Sequence, residues 1–89
     1  MSTNFKKDPD AILDYINDWS DWLDGDTIST STWTAEEGIT VVSSTESNTT
    51  STVWLSGGSV GTMYLVTNRI VTTAGRTDDR SIHIRIIQR

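Results

Sequence analysis

The chain reads as an all-β fold built from two stacked antiparallel sheets, and three observations predict it. Apolar and polar residues alternate along most of the second half, as in Ser81 to Ile87, where Ile82, Ile84 and Ile86 share one face and His83 and Arg85 the other. Threonine, favourable in strands, is unusually frequent, with 15 of 89 residues. Gly-containing turns punctuate the chain at spacings of about ten residues. Six to seven strands at that spacing indicate an antiparallel β-sandwich of immunoglobulin type, with a short helical turn near residues 20–23.

Residues 1–7 read as a flexible arm, and residues 8–89 as a single sandwich domain beginning at Asp8-Pro9-Asp10. The stretch Ala11 to Leu23 admits two readings. Asp8 as N-cap, Pro9 at the first helical position and apolar residues at Ile12, Tyr15, Ile16, Trp19, Trp22 and Leu23 fit a helix. Leu13, Tyr15 and Trp19 also share the parity of one strand face, with a helical turn following at Ser20 to Leu23. Asp24-Gly25-Asp26 turns the chain into a strand over Thr27 to Thr34, and Glu36-Glu37-Gly38 turns it into another over Ile39 to Ser43. Ser43 to Thr52, the segment of lowest complexity, reads as an exposed hairpin end. Strands over Thr52 to Ser56, Thr62 to Thr73 and Arg80 to Gln88 complete the set, with a bend or sheet change expected near Asn68.

Composition narrows the function classes. At this length roughly 60–65% of the unfolded chain's surface is buried on folding, so stability is thin. Cysteine is absent, which removes disulfides and thiolate metal sites and fits a reducing cytoplasm. No run of about 18 apolar residues or apolar signal core is present, so no membrane insertion is expected. A net charge of −5 argues against nucleic acid as partner. That charge is divided unevenly: residues 1–50 hold ten carboxylates and two lysines, and residues 51–89 hold five arginines and two aspartates. The halves neutralise each other within one molecule, or acidic and basic surfaces dock head to tail between copies.

Four tryptophans are many for so small a core. Trp19, Trp33 and Trp54 are expected between the sheets, and Trp22, in a short acidic turn, is expected to be the most exposed of the four, either a core residue or a candidate anchor for a neighbour. The loop Gly75 to Arg80 carries Arg76, Asp78, Asp79 and Arg80, which pair locally or reach a second subunit. Elsewhere the residues point away from catalysis. His83, the one histidine, sits on an outward strand face without a nucleophile elbow in sight. Asp18, Asp21, Asp24 and Asp26 lack calcium-loop spacing and suit turn chemistry. The Gly57 to Gly61 stretch lacks the Lys-Ser/Thr pair and helix of a phosphate loop.

Lys7-Asp8-Pro9-Asp10-Ala11, Leu13-Asp14-Tyr15, Asp18 to Leu23, Gly25 to Ile28, Leu55 to Gly58, Gly61, Tyr64, Val66-Thr67-Asn68 and Gly75 to Arg80 together resemble the fiber-tail adaptors of tailed bacteriophages. The likeness spans nearly the whole chain. It favours strand plus turn over helix for residues 11–23. It implies an immunoglobulin-like virion protein, made in the host cytoplasm, that links fibers to the tail or neck. It further implies several copies on a symmetric particle, contacts with other virion proteins, no catalytic residues, and no cofactor or metal. Trp22, Arg76, Asp78, Asp79 and Arg80 are the interface candidates. The alternative role is a glycan- or cell-binding module, or one that decorates the capsid.

Overall fold

A computed structural model describes residues 2–88. In chain order it contains β1 (Ser2–Lys7), β2 (Leu13–Asp18), α1 (Ser20–Leu23), β3 (Ile28–Ala35), β4 (Ile39–Glu46), β5 (Thr50–Gly57), β6 (Met63–Thr72) and β7 (Thr77–Ile86). One sheet has the order β1-β7-β6-β3 and the other β2-β5-β4. This is the immunoglobulin-type sandwich the alternation predicts, except that the first strand pairs with the last instead of the second. That β1–β7 pairing is parallel, so the sandwich is not antiparallel throughout.

Alternation determines what lies between the sheets. Val53 and Leu55 of β5 face Tyr64 and Val66 of β6 and Ile82, Ile84 and Ile86 of β7, and together with Tyr15, Trp33 and Ile39 they form the larger apolar cluster. A smaller one, of Trp19, Leu23, Ile28 and Ile70, lies under α1. Residues 11–23 resolve as a strand followed by one helical turn, because Tyr15, Asn17 and Trp19 point inward while Asp14, Ile16 and Asp18 face out. A helix would have spread those six residues round its surface.

Two expectations are corrected. Residues 2–7 form β1 where a flexible arm is predicted; Met1 lies outside the described residues. The backbone of β1 hydrogen-bonds along β7, Phe5 packs against the core with its ring 4.9 Å from that of Tyr15, and the Tyr15 hydroxyl donates to the Lys6 carbonyl. No bend or sheet change occurs at Asn68, for β6 pairs with β7 in unbroken register from Met63 to Val71. The irregularities fall instead between Ile28 and Thr30 in β3 and between Val41 and Ser43 in β4. Ser43 to Thr52 is an exposed hairpin end, as read, with β4 and β5 running further into it than the sequence suggests. Only the tip at Ser47 to Thr49 turns, and its carbonyls are used: Thr49 accepts from the Trp19 amide and Asn48 from the Ile28 amide.

Lys7 is fully buried, an unusual place for a lysine, with its ammonium donating to the Asp8 carbonyl at 2.9 Å and the Gly57 carbonyl at 2.8 Å. Burial holds its pKa below the ordinary 10.5, and the Asp8 and Asp10 carboxylates oppose that shift. Between the lowered value and 10.5 the unfolded chain binds more protons at this residue, so its contribution to stability rises with pH there. Urea titrations of the wild type and Lys7→Met are therefore expected to diverge in favour of the wild type as pH approaches 10.5. A difference independent of pH across that interval would contradict the burial argument.

Candidate functional site

The predicted interface residues lie at one end of the sandwich, where α1 meets the β6–β7 hairpin. Asp24, in the left-handed region at φ 48°, ends α1 after a single turn and leaves its last carbonyls pointing outward. Arg76, delivered by the hairpin, meets them: its guanidinium donates to the Leu23 carbonyl at 2.6 Å and to the Trp22 carbonyl at 3.5 Å. It also pairs with Asp26 at 3.2 Å and lies 4.4 Å from the Trp22 ring centroid. One planar fork thus caps a helix end, forms an ion pair and covers an indole. Trp22 is in turn edge-on to the buried Trp19, with centroids 5.4 Å apart. Arg80 repeats the pattern one step along, 4.1 Å above Trp19 and donating to the Asp18 carbonyl at 2.8 Å.

The carboxylates here serve as local acceptors. A Thr72 side-chain hydrogen bond, with further donors at Thr27, Arg76 and Ala74, holds Asp26 below its ordinary pKa. The Ser20 backbone amide does the same for Asp18, and Arg69 for Asp79. Asp79 and Arg69 form a bidentate pair on the outer face, at 2.8 and 3.0 Å. Asp78 accepts from the amide of Asp79. The predicted loop is shorter than expected, since β7 begins at Thr77 and only its first residues lie in the turn. Trp22 is half-buried, sandwiched by Trp19 and Arg76, not the most exposed of the four indoles.

Cutting Arg76 to alanine is expected to destabilise the fold by about 1 kcal/mol, the value of a partly exposed charge-assisted cap after solvent screening. Arg76→Lys recovers less than half of it, because a point charge cannot satisfy two carbonyls and a carboxylate at once. Urea unfolding followed by tryptophan fluorescence gives the comparison, and full recovery by lysine would reduce the site to simple charge pairing.

Trp54 is the residue that the sequence misplaces. Its size suggests a position between the sheets, yet Val53 and Leu55 on either side of it are buried and period two sends the indole outward, 39% exposed. Ile16 on β2 and Val42 on β4 accompany it, 55% and 52% exposed, so the outer face of the three-stranded sheet carries an apolar residue on every strand. In register, Asp14 lies directly opposite Trp54 and Thr52 opposite Ile16, which makes Ile16 and Trp54 diagonal neighbours. The Val53-Trp54-Leu55 alternation holds this signal. The Ile16 signal is obscured by the competing helical pattern.

The remaining chemistry-bearing residues stay apart. His83 is half-buried on the outer face of the four-stranded sheet, across from Leu65. Among the described residues no three His, Cys, Asp or Glu side chains come together as a metal site. No described helix is long and apolar enough to cross a membrane. The ion pair of Arg76 with Asp26 joins the acidic half of the chain to the basic half.

No individually curated protein matches the sequence. The profile of a protein family, described as podophage GP4 fiber-tail adaptor protein gp77, matches residues 7–85. That match takes in β2 to β6 whole, all but the last residue of β7, and the entire α1 end with Trp22, Arg76 and Arg80. The chain therefore belongs to the podophage fiber-tail adaptor family.

Proposed function

We infer that this chain is a non-catalytic structural part of the virion, present in several copies, that joins tail and fiber proteins. The observation that carries the reading is the family match over nearly the whole sandwich. The geometry is consistent with a spacer: the body extends 41 Å along its longest axis and 19 Å along its shortest, and its surface is chiefly two sheet faces. The α1 end, with Trp22, Arg76, Asp78, Asp79 and Arg80, contacts another virion protein. These side chains already hold fixed partners within the molecule, so less conformational entropy is lost on docking. Repetition around a symmetric particle lets weak contacts sum, because each attached copy raises the effective concentration of the next. The chain is made in the host cytoplasm and assembled there.

The test is cryo-electron microscopy of purified particles together with mass spectrometry of their proteins. Density for this sandwich between tail and fiber is the expected result, and particles lacking the chain would refute the reading. The exposed ring of Trp54 also favours a second reading, a glycan-binding surface, since sugars stack on such indoles. Binding on a glycan array that is lost with Trp54→Ala would select it.

A further inference from the structure

We propose that copies of this chain pack face to face, outer face of the three-stranded sheet against outer face of the four-stranded sheet, with Trp54 of one copy seated between Lys6, Met63 and Arg85 of the next. The proposal rests on the multi-copy reading above and specifies the contact. Three features carry it.

The first is the donor face. Trp54, Ile16 and Val42 form an exposed apolar row whose charged neighbours on β2, Asp14 and Asp18, are both acidic. No lysine or arginine occurs on β2, β4 or β5. The second is the acceptor. On the opposite side of the sandwich, Lys6 of β1 lies in register with Arg85 of β7, and Arg85 with Met63 of β6. These side chains and Phe5 line a shallow groove of about 220 Å³. Neither Lys6 nor Arg85 has an ion-pair partner among the described residues, whereas Arg69 on the same sheet is paired to Asp79. Two cationic stems and an exposed thioether are groups that attract an indole. The third feature is alignment. Asp14 stands beside Trp54, and the groove and the indole lie toward the same end of the strands, the end where Lys7 donates to Gly57. An indole entering the groove therefore brings Asp14 toward Lys6 and Arg85, and neighbouring copies stand side by side.

Such a contact uses different surfaces on the two partners, so every copy keeps one free face for the next. That is the arrangement from which rings or filaments grow. Three strands at about 4.8 Å spacing give a contact on the order of 300 Å² per copy, well below the roughly 800 Å² of a stable isolated pair. The free protein is therefore expected to associate weakly, at high concentration and low ionic strength, and firmly only when held in an array.

Sedimentation equilibrium of the full chain tests this. Wild type shows concentration-dependent association, accompanied by reduced acrylamide quenching of tryptophan. Trp54→Ala and Arg85→Glu each weaken association about tenfold or more while leaving the melting temperature within a few degrees, since both side chains are exposed. The deciding sample is an equimolar mixture of the two variants. Each retains one intact face, so the mixture forms one-to-one dimers that do not grow. A wild type that stays monomeric at millimolar concentration, a variant that associates normally, or a mixture that remains monomeric would overturn the proposal. Particles that contain the chain with these faces turned away from each other would also overturn it while leaving the adaptor role intact.

Discussion

Asn68→Leu is expected to destabilise the protein by about 3–5 kcal/mol and lower its melting temperature by roughly 20 °C, although leucine has the same branched heavy-atom skeleton as asparagine and is more apolar. Asn68 is fully buried on β6. Its Oδ1 accepts from Trp19 Nε1 at 3.0 Å and from the Asn17 amide at 3.4 Å, and its Nδ2 donates to Ser31 Oγ at 2.9 Å and the Thr32 carbonyl at 3.1 Å. The Ser31 hydroxyl bonds to that of Ser51, which accepts from Trp33 Nε1. This network joins both sheets and separates the two apolar clusters, with Val66 on one side of Asn68 and Ile70 on the other. No buried side-chain nitrogen or oxygen among the described residues lacks a partner. Leucine would take the acceptor from the Trp19 indole N–H and from the Asn17 side-chain amide, each lost buried partner costing about 1–3 kcal/mol.

A double-mutant cycle separates that cost from altered packing. Phenylalanine at position 19 has no N–H to orphan, so Asn68→Leu is expected to cost about 1–2 kcal/mol less in a Trp19→Phe background. Additive losses would mean that the network acts through shape alone. Denaturant unfolding of the four proteins supplies all the values.

The contrast between Asn68 and Trp54 marks what the sequence discloses. Alternation places Ile82, Ile84 and Ile86 inward and predicts the sandwich, because burial on one sheet face imposes period two on any strand that obeys it. The same rule puts Trp54 outside, against the competing expectation that a large aromatic belongs in the core. Asn68 reads as a bend because an inward asparagine breaks an apolar pattern. Its partners Asn17 and Ser31, and Ser51 beyond Ser31, lie on three other strands, and only the assembled fold brings them within hydrogen-bonding range. For β1 the local signal is missing altogether: Lys7 and Phe5 give no strand pattern in so polar a segment, and the parallel pairing with β7 is fixed some 80 residues away.

Interface candidates are legible in another sense. Charge and turn chemistry pick out Arg76, Asp79 and Arg80 as residues with specific partners, and those partners lie inside the molecule. Side chains so engaged define a stiff end, whereas Lys6, Arg85 and Trp54 remain exposed on the two sheet faces. Strand period and charge sign together bring out the two sheet faces, which turn and loop chemistry alone does not.

Gly58→Ala is expected to destabilise by about 2–4 kcal/mol, the second largest effect, and the site shows why a single methyl matters there. Gly58 has φ +100°, and a Cβ at that position would lie 2.6 Å from both Cγ1 and Cδ1 of Ile86. Ile86 is fully buried in the larger cluster, so it cannot move aside without displacing its neighbours. Gly61 supplies the control: its φ is +85°, yet nothing lies within 4 Å of where a Cβ would sit. Gly61→Ala is therefore expected to cost only the backbone strain, about 1 kcal/mol. Truncating the obstacle apportions the rest. In an Ile86→Ala background the penalty of Gly58→Ala falls toward the Gly61 value, even though Ile86→Ala is itself costly. Should Gly58→Ala and Gly61→Ala prove equally mild in thermal unfolding, the close approach of the β5–β6 turn to β7 would not be what holds that end of the sandwich closed.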